Sequence, residues 1–161
     1  MNIFHLSSDP KEAAKYYVDR HVVKIITEIN QCLSSAYPKG TAPYKWTHTN
    51  HPMTKWCRAS KSNFKWSIEH CQALCEEYTY RYGKIHKGEG VLDWYRQNDP
   101  QIENVEMTAV PRCFGTFKDL IPETKNHIED YRNYYRVGKK HLFNWKKRET
   151  PEWILDKSIK D

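Results

Sequence analysis

Several things are missing from this sequence, and each absence narrows what the chain can be. No run of about 18 apolar residues occurs, so no membrane-spanning helix is expected. The first residues, MNIFHLSSDP, lack the basic start and long apolar stretch of a secretory leader. A cytoplasmic location is therefore expected, with Cys32, Cys57, Cys71, Cys75 and Cys113 as reduced thiols. There is no Cys-x-x-Cys pair. His70, Cys71 and Cys75 lie close in sequence, but both cysteines fall on the apolar stripe of a periodic segment, where a thiol behaves as a small hydrophobe, so no metal site is expected. A glycine-rich phosphate loop and a nucleophile elbow are also lacking, and no cofactor is expected. Alternating strand patterns, internal repeats and low-complexity tracts are absent too, which leaves a mainly α chain.

What is present is a folded, basic, aromatic-rich protein. Its 161 residues are 39% hydrophobic and 14% aromatic, enough for one helical domain over residues 1–161 without disulfide or metal staples. The formal charge of +6 and pI near 9.0 favour a polyanionic partner. The charge also has a place: Lys139, Lys140, His141, Trp145, Lys146, Lys147 and Arg148 interleave cations with aromatic rings, a pattern suited to phosphates and bases. The same segment could equally be a solvated tail whose Phe143 and Trp145 dock on the core.

Along the chain, Ile3, Phe4 and Leu6 form a short apolar start. Asp9, Pro10 and Glu12 then make a helix-starting signal. Val18, Val22, Ile25, Ile29, Leu33 and Ala36 recur every four or three residues, which predicts one helix running from Asp9 to about Tyr37. A second stripe, Tyr17, His21, Lys24 and Glu28, lies about 100° round the same helix. Asn50 is the expected cap of a second helix starting at His51 and Pro52, interrupted near Ser60 to Asn63 and stopping at Gly83. Val91 to Arg96 reads as a short helix and Asn98 to Lys118 as irregular. A last helix follows Pro122, with Ile128, Tyr131 and Tyr135 inward, and ends near Gly138.

The stripe beside the core carries the candidate chemistry. A histidine and a glutamate seven residues apart sit two turns apart on one helix face, so His21 and Glu28 can grip different parts of one ligand. Glu28 could shuttle protons while Arg20, His21 and Lys24 hold phosphate or sugar. A plain charged face, with Glu28 paired to Lys24, is the competing reading. His48 and His51 precede a helix start, where free N–H groups favour anions, or simply cap and pack there.

Asp19, His21 and Glu28 together match the register of the phage endonuclease V family, whose early helix carries Asp-x-His and then the catalytic Glu seven residues after the histidine. Asn50, His51 and Pro52 before a long helix, and the Trp/Tyr-rich basic tail, strengthen the resemblance, which covers roughly residues 1 to 83. The chain is also similar to proteins of large DNA phages that carry EYTYRYGKIH and WKKRETPEW. The resemblance implies an endonuclease V-like helical fold and a pyrimidine-dimer DNA glycosylase with AP-lyase activity. In that family the N-terminal α-amine attacks sugar C1′ while the glutamate handles protons and stabilises a cationic intermediate. A peptide α-amine with a pKa near 8 is partly neutral at physiological pH, and a nearby carboxylate favours an iminium. Asn2 is too large for routine removal of the initiator, so Met1 itself would supply the amine. Thr27 and Gln31 stand where the family's arginines flank its glutamate, and Arg20 takes a neighbouring glutamine's place.

The expected function is thus a monomeric glycosylase/AP lyase on damaged pyrimidines in duplex DNA. Met1 and Glu28 would be catalytic, with Asp19, Arg20, His21, Lys24, His51, Lys146, Lys147 and Arg148 as substrate contacts. Two other readings use the same pocket: a non-catalytic binder of nucleic acid or nucleotide, and an enzyme on a modified base or free nucleotide.

Overall fold

Helices are the regular elements of the computed structural model, which describes residues 1–155; positions 156–161 of the expected 1–161 domain lie outside the described residues. In chain order they are α1 (Pro10–Tyr16), α2 (Asp19–Ser34), α3 (Pro52–Cys57), α4 (Lys61–Tyr82), α5 (Leu92–Gln97), α6 (His127–Gly138) and α7 (Glu152–Leu155), with 3-10 turns at Gly115–Leu120 and Lys140–Leu142. Among the described residues there is no strand, as expected for a mainly α chain, and no helix is long and apolar enough to cross a membrane.

The long helix α4 is the spine against which α1 and α2 pack. The α2 stripe predicted to be apolar is buried: Val18, Val22, Ile29 and Leu33 are fully inaccessible and Ile25 nearly so. Truncating the buried Ile29 or Leu33 to alanine would cost about 2–5 kcal/mol. Ile3, Phe4 and Leu6 thread into the same core as an extended segment rather than a helix or strand. The Phe4 amide is held by the Tyr17 hydroxyl at 2.8 Å. Asn2 secures the segment's start, donating from Nδ2 to the Cys113 carbonyl at 2.8 Å and accepting the Ile3 amide at 2.8 Å.

The expected helix from Asp9 to Tyr37 is broken at Tyr17 and Val18, whose backbones are extended. The break is stable because distant groups satisfy the polar backbone atoms that it frees. Arg81 donates to the Tyr17 and Lys15 carbonyls at 2.7 and 3.1 Å, and the Val18 amide donates to the Tyr135 hydroxyl at 3.3 Å. The Asp19 amide reaches the Asn144 carbonyl at 2.9 Å. None of these partners is near in sequence, so hydrophobic periodicity runs through the break without registering it.

The second expected helix is interrupted where the pattern suggested. Ser60 caps α4, its Oγ accepting the Asn63 amide at 3.0 Å, and Gly83 ends it in the left-handed region at φ 67°. At the start of α3 the cap is His51 and not Asn50: His51 Nδ1 accepts the Met53 amide at 3.1 Å, while Asn50 is exposed one residue earlier. In α6, Tyr131 and Tyr135 point inward as predicted, whereas Ile128 is only half-buried.

Candidate active site

The extended N-terminal segment brings the first residue of the chain to α2. The Met1 α-amino nitrogen lies 2.9 Å from Glu28 Oε1. Helix register and threading are both required: α2 turns Glu28 out of the core beside Ile25 and Ile29, and the Asn2 bonds hold the segment in reach of it. The pairing that competed for Glu28 at sequence level, with Lys24, is not the one formed. Glu28 is 9% exposed, and its Oε2 is buried without a hydrogen-bond partner among the described residues. An anionic oxygen so placed is costly unless something arrives to use it.

Met1 is fixed through its side chain, which is 1% exposed. Its sulfur lies 3.4 Å from Cys32 Sγ. Burial pushes the Cys32 thiol up to about 12, so it packs there as a neutral group. The other end of the residue faces a cavity of about 460 Å³ whose walls include Glu28, His21, Lys24, His51, Arg112, Lys118 and Lys139.

His21 is held rigidly in this wall. Phe4 stacks on its ring at 4.3 Å and 11°, and Nδ1 lies 2.7 Å from the Tyr135 hydroxyl. That hydroxyl already accepts the Val18 amide, so donating its own proton to Nδ1 satisfies every group and assigns the His21 proton to Nε2. Burial, then Lys139, Lys24 and Arg20, bring the ring's pKa down to about 3. His21 is therefore a neutral donor, not a cation, at physiological pH. His51 is also shifted down, first by burial and then by the N-terminal amine and His48, and its Nδ1 is committed to the helix start. Lys139, half-buried against the rings of Phe4 and Tyr134, is shifted down by burial and by Lys24.

Of the residues singled out in the sequence, Met1, His21, Lys24, Glu28 and His51 line one cavity. The others sit elsewhere. Arg20 is exposed and does not line it. Asp19 accepts from Arg81 at 2.9 Å and from the Lys146 amide at 2.8 Å, tying α2 to α4 and to the C-terminal segment. Arg148 forks onto Glu77 at 2.8 and 3.0 Å and lies over the Tyr80 ring. Lys147 donates to the Tyr80 carbonyl, and Lys146 stands over Tyr82. Trp145 is buried, its Nε1 donating to the Tyr16 carbonyl at 2.8 Å, so the basic tail docks through its aromatic and keeps Lys146 and Lys147 exposed.

Sequence reasoning missed the far wall. Arg112 and Lys118 come from the segment read as irregular, and Lys139 was counted with the tail. Arg112 is oriented by Asp130, by the Ile121 carbonyl and by the Phe114 ring. No local pattern marks these cations, since only the packing of α6 under the N-terminal segment brings them opposite Glu28. Among the described residues, no three His, Cys, Asp or Glu side chains gather as a metal site would need. His70 is bonded to the Pro10 carbonyl and the Tyr17 hydroxyl.

The site thus holds an amine and a buried carboxylate in contact, in a cavity walled by cations. The family described as pyrimidine dimer DNA glycosylase matches residues 1–88. That is more than half of the 161 residues, and the chain belongs to this family. No match was found to a curated protein sequence or to a solved structure. The matched span contains Met1, Glu28 and His51 and ends before Arg112, Lys118 and Lys139.

Proposed function

We propose that the protein removes damaged pyrimidines such as UV dimers from duplex DNA and then nicks the abasic strand, with the Met1 amine as nucleophile and Glu28 as its proton and charge partner. The 2.9 Å contact between that amine and Glu28 carries the reading. The neutral amine attacks C1′, the C1′–N bond breaks, and the base departs with the bonding electrons and takes up a proton. Ring opening leaves an iminium between Met1 and the sugar. Glu28 accepts the amine's proton, returns it to the departing base, and as a carboxylate again faces that cation, the task for which its unpartnered oxygen is suited. Loss of a proton from C2′ allows elimination of the 3′ phosphate, which is the lyase step.

The cavity's cations supply the grip. Lys24, Lys118 and Lys139 have no ion-pair partner among the described residues, so phosphates can neutralise them. His21 donates without adding charge, and His51 stands at a helix start beside the amine. Arg20, Lys146 and Lys147 hold flanking phosphates from outside the cavity, and Asp19 and Arg148 serve by anchoring the segment that carries them.

The test is borohydride trapping on UV-irradiated duplex. A covalent adduct is expected with the wild type and none with Glu28→Gln or after acylation of the N-terminal amine. Absence of both adduct and nicking on UV-damaged and on abasic duplex overturns the proposal. Salt-dependent duplex binding without turnover would then identify a binding protein instead.

A further inference from the structure

The proposed reaction uses the amine of Met1 and gives its side chain no task, yet that side chain is 1% exposed, where the first residues of most domains are loose. Its sulfur accepts the Cys32 thiol proton at 3.4 Å, and Cys32 Sγ lies 3.6 Å from the Thr54 hydroxyl. Cys32 and Thr54 are both fully inaccessible, so the socket is built by the interiors of α2 and α3. Cys32 also stands four residues after Glu28 on α2. Side chains at that spacing share a helix face, one turn apart. The group that receives the thioether and the group that receives the amine are thus two points of one mount for a single residue.

Asn2 fixes the register of the chain on that mount. It is buried, its Nδ2 donates to the Cys113 carbonyl at 2.8 Å, and its Oδ1 accepts the Ile3 amide at 2.8 Å and faces the Tyr131 hydroxyl at 3.5 Å. Behind it Ile3, Phe4, His5 and Leu6 are all buried. An extended chain advances about 3.3–3.6 Å per residue, so a slip of one position would carry Ile3 to the place of Asn2. The Cys113 carbonyl would lose its amide donor, and each following side chain would turn into a site shaped for its neighbour. The segment has one register, and in it the amine that meets Glu28 belongs to the methionine.

We propose that the Met1 side chain is a positioning group: its thioether, seated against Cys32, aims the α-amine at Glu28, and the Asn2 bonds set the register, so the protein works only with a free amine on this methionine. The proposal rests on the imine reading given above. Loss of Met1 would leave the next amine about 3.3–3.6 Å further back along the segment, out of reach of a carboxylate that Met1 meets at 2.9 Å. Hydrolysis that excises the methionine is therefore an inactivating reaction. Hydrolysis that uncovers its amine from an acyl group is an activating one.

The test compares chains released from a cleavable leader, so that each begins with a defined residue: Met1, alanine in its place (Met1→Ala), norleucine in its place, Asn2 with Met1 deleted, or one glycine ahead of Met1. Borohydride trapping is measured at saturating abasic duplex, together with the duplex concentration for half-saturation and the urea midpoint. Met1→Ala keeps the amine but not the thioether; it should slow trapping by about 10- to 100-fold, since misplacing a reacting group by about 1 Å can cost that much, and leave half-saturation within about twofold. Norleucine has the same length and shape without the sulfur, and it should restore the rate to within about threefold. The chain beginning at Asn2 should lose at least about 100-fold. The glycine-extended chain keeps the thioether in its socket, and with it the urea midpoint, but should lose trapping by at least about 100-fold, which keeps the test open if Met1→Ala does not fold. Trapping within twofold of the Met1 form by folded Met1→Ala, by the Asn2 chain or by the glycine-extended chain overturns the positioning role, as does norleucine performing no better than alanine. Failure of the Met1 form itself to trap on both UV-damaged and abasic duplex overturns the underlying function instead.

Discussion

Glu28 and Glu77 are both buried, at 9% and 4% exposure, but they are equipped in opposite ways. Glu77 is saturated: Arg81 Nε donates to it at 2.9 Å, and Arg148 donates to both of its oxygens. Arg81, itself 1% exposed, also donates to Asp19 and to the carbonyls of Lys15 and Tyr17 at the end of α1. Among the described residues Glu28 has one charged partner, the chain's own amine, and a bare oxygen. A carboxylate surrounded by guanidinium groups is a strut, since nothing can approach it. One left half-satisfied in a cavity is available to chemistry, and the fold bears that cost in the free state.

Substituting the two glutamates is the sharpest way to break this comparison. Glu28→Gln should lower the rate of adduct formation by about 10²- to 10⁴-fold, the contribution of a positioned proton-transfer group, with little change in the urea midpoint. Glu77→Ala should do the reverse. Removing it leaves Arg81 and Arg148 without their shared carboxylate, and breaking a buried pair costs about 3–5 kcal/mol, read as a lower urea midpoint. Its trapping rate, measured where the variant remains folded, should stay near the wild-type value. If Glu77→Ala lost trapping while folded, or Glu28→Gln unfolded the chain, the division into strut and working group would fail.

Acid should separate the groups further by a smaller effect. His21 and His70 are held neutral, mainly by burial, at about 3 and about 4 against an ordinary 6.5. Below pH 6.5 the unfolded chain binds protons that these rings refuse in the folded state. Stability should fall as pH drops from 6.5 toward 4, by about 1.4 kcal/mol per pH unit for each histidine. For Glu77, burial alone would raise the pKa, but the hydrogen bonds and charges of Arg148 and Arg81 outweigh it and hold it below its ordinary 4.5. Its stabilisation is present above 4.5 and lost as pH falls through the depressed folded value. Urea denaturation across this range should show the histidine slope unchanged in Glu77→Gln and the additional loss below 4.5 reduced.

Much of this was legible in the residues. The four-three repeat in α2 and the spacing of His21 and Glu28 follow from helix geometry, and Ser60 and Gly83 mark the ends of α4 by local chemistry. Illegible features all depend on partners remote in sequence. The break at Tyr17 and Val18 is held by Arg81 and Tyr135. Asp19 stands with His21 and Glu28 in the family motif, yet it is drawn to Arg81 and the tail rather than to the cavity. The tail's cations divide as well: Arg148 is consumed by Glu77, while Lys146 and Lys147 remain at the surface.

By itself, then, the sequence determined a helical chain with an acid and a histidine on one face beside a core stripe, because backbone periodicity acts over neighbouring turns. Which charges would be neutralised, and which left facing a cavity, was decided only by tertiary structure. Charge compensation acts through space: the first residue reaches Glu28 because its segment is pinned by Cys113 and Tyr17, and the cations opposite arrive from residues more than eighty positions away.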